Sequence, residues 1–257
     1  MNAASSASAP ALETQSICKN FGSLEVARNV SIALPRGARH ALIGPNGAGK
    51  TTLINLITGQ IRPDSGRILL DGADITHMPV AARVRRGLTR TFQINTLFPD
   101  LTPLEAVMTA ICEREGKASQ FWRPLTAHGE AIDEAFDILT RLRLGDVATR
   151  TTRHLAYGQQ RLLEIALALA TRPKVLLLDE PAAGVPKDES AMLFEVIDAL
   201  PKEMTILFIE HDMSIVFKYA TRIIVLVSGG VLLDAEPEVV RSDERVREVY
   251  LGQAHAH

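Results

Sequence analysis

The chain has 257 residues, of which 46% are apolar and 23% are charged, and its formal net charge is −2. This composition excludes an intrinsically disordered protein, and the length allows one large domain, or a core with a subdomain, to bury a substantial interior. The nearly balanced charge gives no sign of a general affinity for nucleic acid or for an anionic membrane surface.

The sequence also indicates a compartment. No stretch approaches the roughly 18 consecutive apolar residues of a membrane-spanning helix, and the amino terminus lacks the basic start and apolar segment of a secretory signal. Two distant cysteines, Cys18 and Cys112, form neither a metal-binding spacing nor a disulfide framework. We therefore expect a cytoplasmic protein that works at a membrane only through partners.

The amino-terminal part is predicted to be β-structure. Residues 1–12 are rich in Ala and Ser and are expected to form a disordered tail before a single domain over residues 13–257. Short β-prone pieces between Ile17 and Leu34, interrupted by Gly22, indicate antiparallel strands. The run ARHALIG is typical of a buried strand, TTLINLITG has the apolar spacing of a helix, and a further strand pair is expected around RILL.

The remainder is predicted to alternate between helices and strands. LTPLEAVMTAI and EAIDEAFDILTRLRL have helical spacing and indicate a helical subdomain over approximately residues 95–160, inserted in the core. The following helices and strands alternate, with KVLLLDE and TILFIEH as buried strands and RIIVLVSGGVLLD as a hairpin. The predicted fold is therefore α/β, with a mainly parallel sheet, an amino-terminal antiparallel β-subdomain and the inserted helices.

A phosphate-binding loop is predicted between the first buried strand and its helix. The segment Gly44–Thr51 fits the pattern G-x-x-x-x-G-K-[ST], the P-loop of many NTPases, in which backbone N–H groups and a helix amino terminus hold phosphate oxygens. Lys50 is expected to reach the β- and γ-phosphates of ATP, and the Thr51 hydroxyl to bind Mg²⁺. The alternative is a chance Gly-rich turn. The predicted nucleotide-binding residues here are Gly44, Pro45, Asn46, Gly47, Ala48, Gly49, Lys50, Thr51 and Thr52.

Two acidic residues follow the buried strand KVLLL. The carboxyl ends of parallel strands border the crevice where ligands bind, so Asp179 is expected to hold Mg²⁺ and Glu180 to orient or deprotonate the attacking water. The alternative is a solvated acidic loop. The loop and this strand together still fit several classes of P-loop NTPase, including kinases and helicase-like motors.

Four further segments occur in a characteristic order. They are KNFGSLEVARNVSI, which contains Phe21, then R-T-F-Q at Arg90–Gln93, L-A-Y-G-Q-Q-R at Leu155–Arg161, and I-E-H-D at Ile209–Asp212. Together with the loop and the acidic strand they resemble ABC ATPases over essentially the whole chain after the tail.

This resemblance implies ATP hydrolysis at a site shared by two subunits. Phe21 is expected to stack on adenine, Gln93 to contact Mg²⁺ and the attacking water, and His211 to bind the γ-phosphate and position Glu180. The signature loop of one subunit is expected to close on the γ-phosphate held by the other. In this chain that loop comprises Ala156, Tyr157, Gly158 and Gln159.

A narrower resemblance concerns the substrate that the complete transporter would carry. RTFQINTLFPDLTPLEAVMTA, LLLDEPAAG, IEHDMSIVF and the closing VREVYLG are similar to ATP-binding subunits of branched-chain amino-acid importers. That implies a second ATPase subunit, identical or paralogous, membrane-spanning permease subunits that hold the chain on the inner face of the cell membrane, and a periplasmic binding protein, with no nucleic acid. The alternatives are a subunit for another substrate, or an ABC ATPase acting on DNA or ribosomes.

The sequence departs from the family pattern at two places. Ala156 and Tyr157 stand where the family has Ser and Gly, which removes a hydroxyl donor. After the acidic strand, AAGVPKDE replaces the usual S-A-L-D, so Val185 and Pro186 stand near the place of a carboxylate. We expect phosphate contact to persist through Gly158, and hypothesise that the two ATP sites of a heteromeric assembly are unequal.

Structural interpretations remain open for several of these residues. Phe21 can be a core aromatic, Gln93 a structural cap, and His211 a satisfied structural histidine. An arginine cluster is interpreted as a solvated helical face rather than a nucleic-acid patch; it comprises Arg83, Arg85, Arg86 and Arg90. Three apolar residues either pack internally or line a groove for a membrane-subunit helix; they are Leu97, Phe98 and Leu101.

Overall fold

The computed structural model describes residues 9–91, 97–117 and 129–251. Its strands are β1 (Leu12–Phe21), β2 (Leu24–Leu34), β3 (Arg39–Ile43), β4 (Ser65–Leu70), β5 (Ala73–Asp74), β6 (Leu88–Arg90), β7 (Val175–Asp179), β8 (Thr205–Ile209), β9 (Arg222–Val227) and β10 (Gly230–Ala235). They form an antiparallel sheet in the order β2-β1-β4-β5 and a larger sheet in the order β10-β9-β3-β8-β7-β6. All pairs of the larger sheet are parallel except β9 with β10. The predicted α/β class is confirmed.

Nine helices lie in the described residues: α1 (Lys50–Thr58), α2 (Val80–Arg85), α3 (Pro103–Arg114), α4 (Gly129–Arg141), α5 (Tyr157–Ala170), α6 (Lys187–Asp198), α7 (Met213–Tyr219), α8 (Pro237–Ser242) and α9 (Glu244–Leu251). Within this part of the chain, none combines the length and apolar character needed to cross a bilayer. The sequence did not anticipate β6 or α8, because three to six residues are too few to establish a period.

The parallel strands are buried on both faces. Along β7, Leu176 and Leu178 pack with the helices, whereas Val175 and Leu177 face the antiparallel sheet and α1. Successive side chains of a strand point to opposite faces, so an uninterrupted apolar run marks a strand covered on both sides. This two-sided burial explains why KVLLL and TILFI could be recognised as strands.

The helices predicted between residues 95 and 160 correspond to α3, α4 and the start of α5. Thr102 caps α3: its hydroxyl accepts a hydrogen bond from the Glu105 N–H at 3.3 Å, and the Glu105 carboxylate accepts one from the Thr102 N–H at 2.8 Å. Buried residues of α3 and α4, such as Val107 and Ala135, belong to the same apolar cluster as one face of the parallel sheet. The helices and the sheet therefore share one interior.

The predicted end of the tail at residue 12 is too late. Leu12 is fully buried and pairs with Leu34, and the Ala11 N–H donates to the Leu34 carbonyl at 2.9 Å. The Ala-rich composition before it gave no local sign of this pairing, because the partner residue, Leu34, lies more than twenty positions later in the chain.

Candidate active site

The predicted phosphate-binding loop connects β3 to α1. Two of its glycines lie against neighbouring backbone: a Cβ on Gly44 would approach the Leu226 carbonyl oxygen to 2.1 Å, and one on Gly49 would approach that of Val26 to 2.6 Å. Gly49 also has a φ of 101°, which L side chains rarely adopt. Strands β9 and β2 therefore dictate glycine at both ends of the loop.

Lys50, the first residue of α1, lies folded over this loop. Its ammonium donates to the carbonyls of Gly44 at 2.7 Å and Pro45 at 3.1 Å. Burial lowers the pKa of Lys50, while the charges of Glu180 and Asp179 act in the opposite direction. The ammonium is thus held by loop carbonyls, at the start of a helix whose N–H groups can bind an anion.

Glu180 and His211 meet beyond the ends of adjacent strands. In the parallel register of β7 and β8, Asp179 lies opposite Ile209, so the residues that follow each strand emerge side by side. The Nε2 atom of His211 lies 2.8 Å from the Glu180 carboxylate. Glu180 has a φ of 50°, and its N–H donates to the Ile209 carbonyl at 3.1 Å. The structure thus brings together the two residues predicted to position water and phosphate.

Glu210, between β8 and His211, is a structural carboxylate that sequence reasoning missed. It is only 6% exposed, and it accepts hydrogen bonds from the N–H groups of Ala182 at 2.9 Å and His211 at 3.2 Å. Burial raises the pKa of Glu210. The residue ties the loop after β7 to the loop after β8, and thereby holds the segment that carries Glu180 beside His211.

The arginine cluster is not a uniformly solvated face. Arg85 and Arg86 are exposed, but Arg83 is 1% exposed and donates to four backbone carbonyls that include those of Leu56 and Ile57 at the end of α1. The side chain of Arg90 forms an ion pair with Asp179. The interpretation was wrong for Arg83 and Arg90, because their partners lie on other elements.

The predicted magnesium ligands are Thr51, Asp179 and Gln93, of which Gln93 lies outside the described residues. Thr51 is exposed in the first turn of α1, and Asp179 ends β7. In the described part of the chain, no group of three or more His, Cys, Asp or Glu side chains gathers for a metal. Hard oxygen donors that require phosphate oxygens and water to complete the coordination fit Mg²⁺, which binds NTPases in this way.

The signature segment forms the amino terminus of α5. The Gln159 side chain accepts from the Ala156 N–H at 3.1 Å, and Gly158 lies against Glu189 of α6. Tyr157 fills the position of the family's glycine. Its hydroxyl donates to the Ala183 carbonyl at 3.1 Å, in the loop that follows Glu180, and accepts from Arg161 at 2.6 Å, an addition to the predicted roles.

Phe21 is not a core residue. It ends β1 and is 49% exposed, with the Lys19 ammonium 5.7 Å from the ring centroid. It pairs with Leu24 in the β1–β2 hairpin, and Val26 on the same hairpin touches Gly49. The open aromatic face thus lies on the hairpin that borders the phosphate-binding loop.

An apolar groove has α2 and β6 on one side and α5 on the other. It has a volume of about 430 Å³ and includes two of the apolar residues singled out from the sequence, Leu97 and Phe98. Leu97 packs against the core, whereas Phe98 is 62% exposed. Arg90 and Glu164 contribute charged groups to the lining of this groove, called the α2–α5 groove below.

Comparisons with known proteins agree with this geometry. Residues 27–183 match the ABC transporter family. The chain is 39% identical to the high-affinity branched-chain amino acid transport ATP-binding proteins BraF of Pseudomonas aeruginosa and LivG of Escherichia coli K12, over 96% of this chain and all of each relative. The ADP conformation of MJ1267, an ATP-binding cassette of an ABC transporter, superimposes with a TM-score of 0.82 at 35% identity, covering 94% of this chain and 98% of that one. As the sequence predicted, the chain belongs to the ABC transporter family and is an ATPase of the ATP-binding-cassette type.

Proposed function

We propose that this chain energises the import of branched-chain amino acids, by binding and hydrolysing ATP for membrane-spanning subunits on other polypeptides. The contact between Glu180 and His211 beside the Lys50 loop carries the hydrolytic part of this proposal. The amino-acid part is supported by relatives that carry this activity in their names and align over their full length.

Each site residue has a defined task in hydrolysis. Lys50 leaves the loop carbonyls and neutralises the β- and γ-phosphates, while the loop N–H groups hold their oxygens. Glu180 orients and deprotonates the attacking water, and His211 holds Glu180 and donates to the γ-phosphate. Thr51, Asp179 and Gln93 would hold Mg²⁺, which would supply positive charge to offset the negative charge that develops on the phosphate oxygens.

We assign binding of the adenine base of ATP to Phe21. Its half-exposed ring offers a flat apolar face on the hairpin next to the loop, which suits stacking on a purine. The nearby Lys19 ammonium is paired with the Asp64 carboxylate at 2.6 Å.

The second half of the site comes from another ATPase subunit, identical or paralogous. The amino terminus of α5 presents N–H groups and a partial positive charge, which favour an anion such as a γ-phosphate. Gly158 lies at this terminus, and Ala156 and Gln159 flank it. ATP therefore acts as a ligand that biases a pair of subunits toward the closed state.

The α2–α5 groove is assigned to a helix of a membrane-spanning subunit. Its lining is mainly apolar and Phe98 is largely exposed, as in grooves that accept an amphipathic helix. This contact would hold the chain on the inner face of the cell membrane, with a periplasmic binding protein delivering cargo on the other side.

Replacing Glu180 with Gln tests the hydrolytic role. We expect ATP turnover to fall by about 10²- to 10⁴-fold, the range for losing a general base, while ATP binding is retained. The matched control is Glu238→Gln, whose carboxylate is 81% exposed on α8. Turnover at the rate of the unaltered chain after Glu180→Gln would contradict the assignment.

Co-purification tests the partners. Membrane-spanning subunits that copurify with the chain, and uptake of radiolabelled leucine that depends on intact Glu180, are the expected outcomes. Recovery of ribosomes or DNA in place of membrane subunits would instead favour an ABC ATPase of the translation or repair type.

A further inference from the structure

Arg90 already supplies a cation to the carboxylate that is proposed to bind Mg²⁺. It is the last residue of β6, which pairs in parallel with β7 so that Arg90 lies opposite Leu177, two residues before Asp179. An Nη atom of Arg90 donates to Oδ2 of Asp179, and the two side chains are only 10% and 2% exposed. This ion pair is therefore desolvated and weakly screened by salt.

A second contact fixes the guanidinium beside the phosphate-binding loop. Its other Nη atom donates to Oδ1 of Asn55 at 2.6 Å. Asn55 lies one turn after Thr51 on α1, so it shares the helix face of the predicted metal ligand. Arg90 thus connects the helix that follows the loop with the strand that carries Asp179.

One hydrogen-bond donor and one hydrogen-bond acceptor of the residues that line the α2–α5 groove lack partners in the described part of the chain. Arg90 Nε and Glu164 Oε1 are both buried and have no hydrogen-bond partner within the described part of the chain. Both residues line the groove. The other oxygen of Glu164 is engaged by Arg161 at 2.9 Å. Unsatisfied buried polar atoms are costly, so an arrangement that pairs them is favoured whenever Arg90 is released from Asp179.

We propose that Arg90 is a positioning residue that holds Asp179 in the absence of metal, competes with Mg²⁺ for it, and turns toward Glu164 when the metal takes its place. This rests on the proposed function, which makes Asp179 a metal ligand. Arg90 and Mg²⁺ would both bind the single buried negative charge of Asp179. Because Coulomb interactions between buried charges are strong, we expect this competition to outweigh the benefit that Mg²⁺ would gain from Arg90 fixing the orientation of the Asp179 side chain. Metal binding is thereby linked to α5, the helix that begins with the signature loop.

Arg90→Gln tests the competition in two measurements on the full chain. In EDTA, we expect its melting temperature to fall by about 5 °C or more, because Asp179 loses its only described ion-pair partner. In a titration of MgCl₂ against the ADP complex, we expect the half-saturating magnesium concentration to fall by about fivefold or more. Arg85→Gln, an exposed arginine on α2, is the matched control and should change neither value.

An unchanged or higher half-saturating magnesium concentration in Arg90→Gln would overturn the competition. If that variant does not fold, the double variant Arg90→Gln with Asp179→Asn replaces it. Removing both charges should restore much of the stability in EDTA, and failure to do so would also count against the proposal. Arg90→Lys, which keeps the charge without the planar fork, should lie between Arg90→Gln and the unaltered chain.

Glu164→Gln tests the second position of Arg90. We expect a higher half-saturating magnesium concentration, because the released guanidinium loses its acceptor charge, and an unchanged value would overturn this part. ADP binding by the unaltered chain tests the proposed function separately. A chain that binds ADP but shows no difference between variants would refute only the role of Arg90.

Discussion

The phosphate-binding loop and the signature segment hold their shapes in different ways. Between β3 and α1, the loop is fixed by backbone: Gly44 and Gly49 lie against carbonyls of β9 and β2, where a side chain does not fit. At the start of α5, the signature segment is fixed by side chains, with Tyr157 bonded to Ala183 and Arg161. The loop is therefore held rigid by steric contacts with the backbone, whereas the signature segment, which we propose faces a second subunit, is held by side-chain hydrogen bonds.

Gly49→Ala should break the rigid half and have the largest effect. The new Cβ would lie 2.6 Å from the Val26 carbonyl oxygen, a backbone atom of β2, at a φ of 101°. We expect strain of about 2–3 kcal/mol, and a loss of nucleotide affinity of about 30- to 100-fold, measured by titration calorimetry with ADP.

The matched control for that variant is Gly116→Ala. Gly116 also has a positive φ, of 70°, but no atom lies within 4 Å of its Cβ position. Its nucleotide affinity should equal that of the unaltered chain. A normal affinity for Gly49→Ala would show that the loop tolerates a side chain, and the comparison would fail.

Gly158→Ala should leave the chain intact and affect only the assembled site. Its Cβ would meet the end of the flexible Glu189 side chain. We expect unfolding free energy within about 0.5 kcal/mol of the unaltered chain and unchanged ADP binding by the single subunit. Turnover should fall by about tenfold or more, since the added methyl separates the helix terminus from the partner's phosphate. Normal turnover would remove Gly158 from the site.

Tyr157→Phe should sharpen the comparison by removing only a hydroxyl. The variant loses the hydrogen bonds to Ala183 and from Arg161, which are worth about 1–2 kcal/mol together. Denaturant unfolding should show this loss, and turnover should fall because the loop after Glu180 is released. In Tyr219→Phe, the hydroxyl that is lost donates to the Ala191 carbonyl over a longer distance of 3.4 Å, and we expect a cost below about 0.5 kcal/mol. Equal losses in the two variants would argue against a special role for Tyr157.

Glu134→Gln should have the smallest effect on the ATP site, because it changes only stability, and that only above acidic pH. Glu134 on α4 accepts from Arg114 and Arg172, and these hydrogen bonds, that from Arg114 first, lower the pKa of Glu134 from 4.5 to about 2. Because the folded-state pKa is depressed, the stabilisation is present above pH 4.5 and is lost as the pH falls toward about 2.

Glu134 is partly exposed, so solvent screening reduces this contribution to about 1–2 kcal/mol at neutral pH. Urea unfolding at pH 7 and pH 3 should therefore separate Glu134→Gln from the unaltered chain much more at the higher pH. Glu130→Gln on the same helix, which makes none of these contacts, should show no such pH dependence. A constant difference across this pH range would contradict the ion-pair explanation.

Local features of the sequence were sufficient for the strand–loop–helix around Lys50, for the acidic strand and for most helices. Each of these depends on residues adjacent in the chain: glycine spacing, a period of two or 3.6, or an uninterrupted apolar run. The pairing of Glu180 with His211 was expected only from the resemblance to ABC ATPases, which implies that His211 positions Glu180.

Only the tertiary structure decided the contacts that join distant elements. Arg83 and Arg90 look alike in sequence to the exposed Arg85 and Arg86, yet they are buried against α1 and Asp179. Whether a charged side chain is buried or exposed depends on which strand or helix lies opposite it. For Arg90 that partner, Asp179, is 89 residues away in the sequence. For the same reason, the sequence showed Tyr157 only as a departure from the family's glycine, whereas in the fold its hydroxyl donates to Ala183 in the loop that follows Glu180.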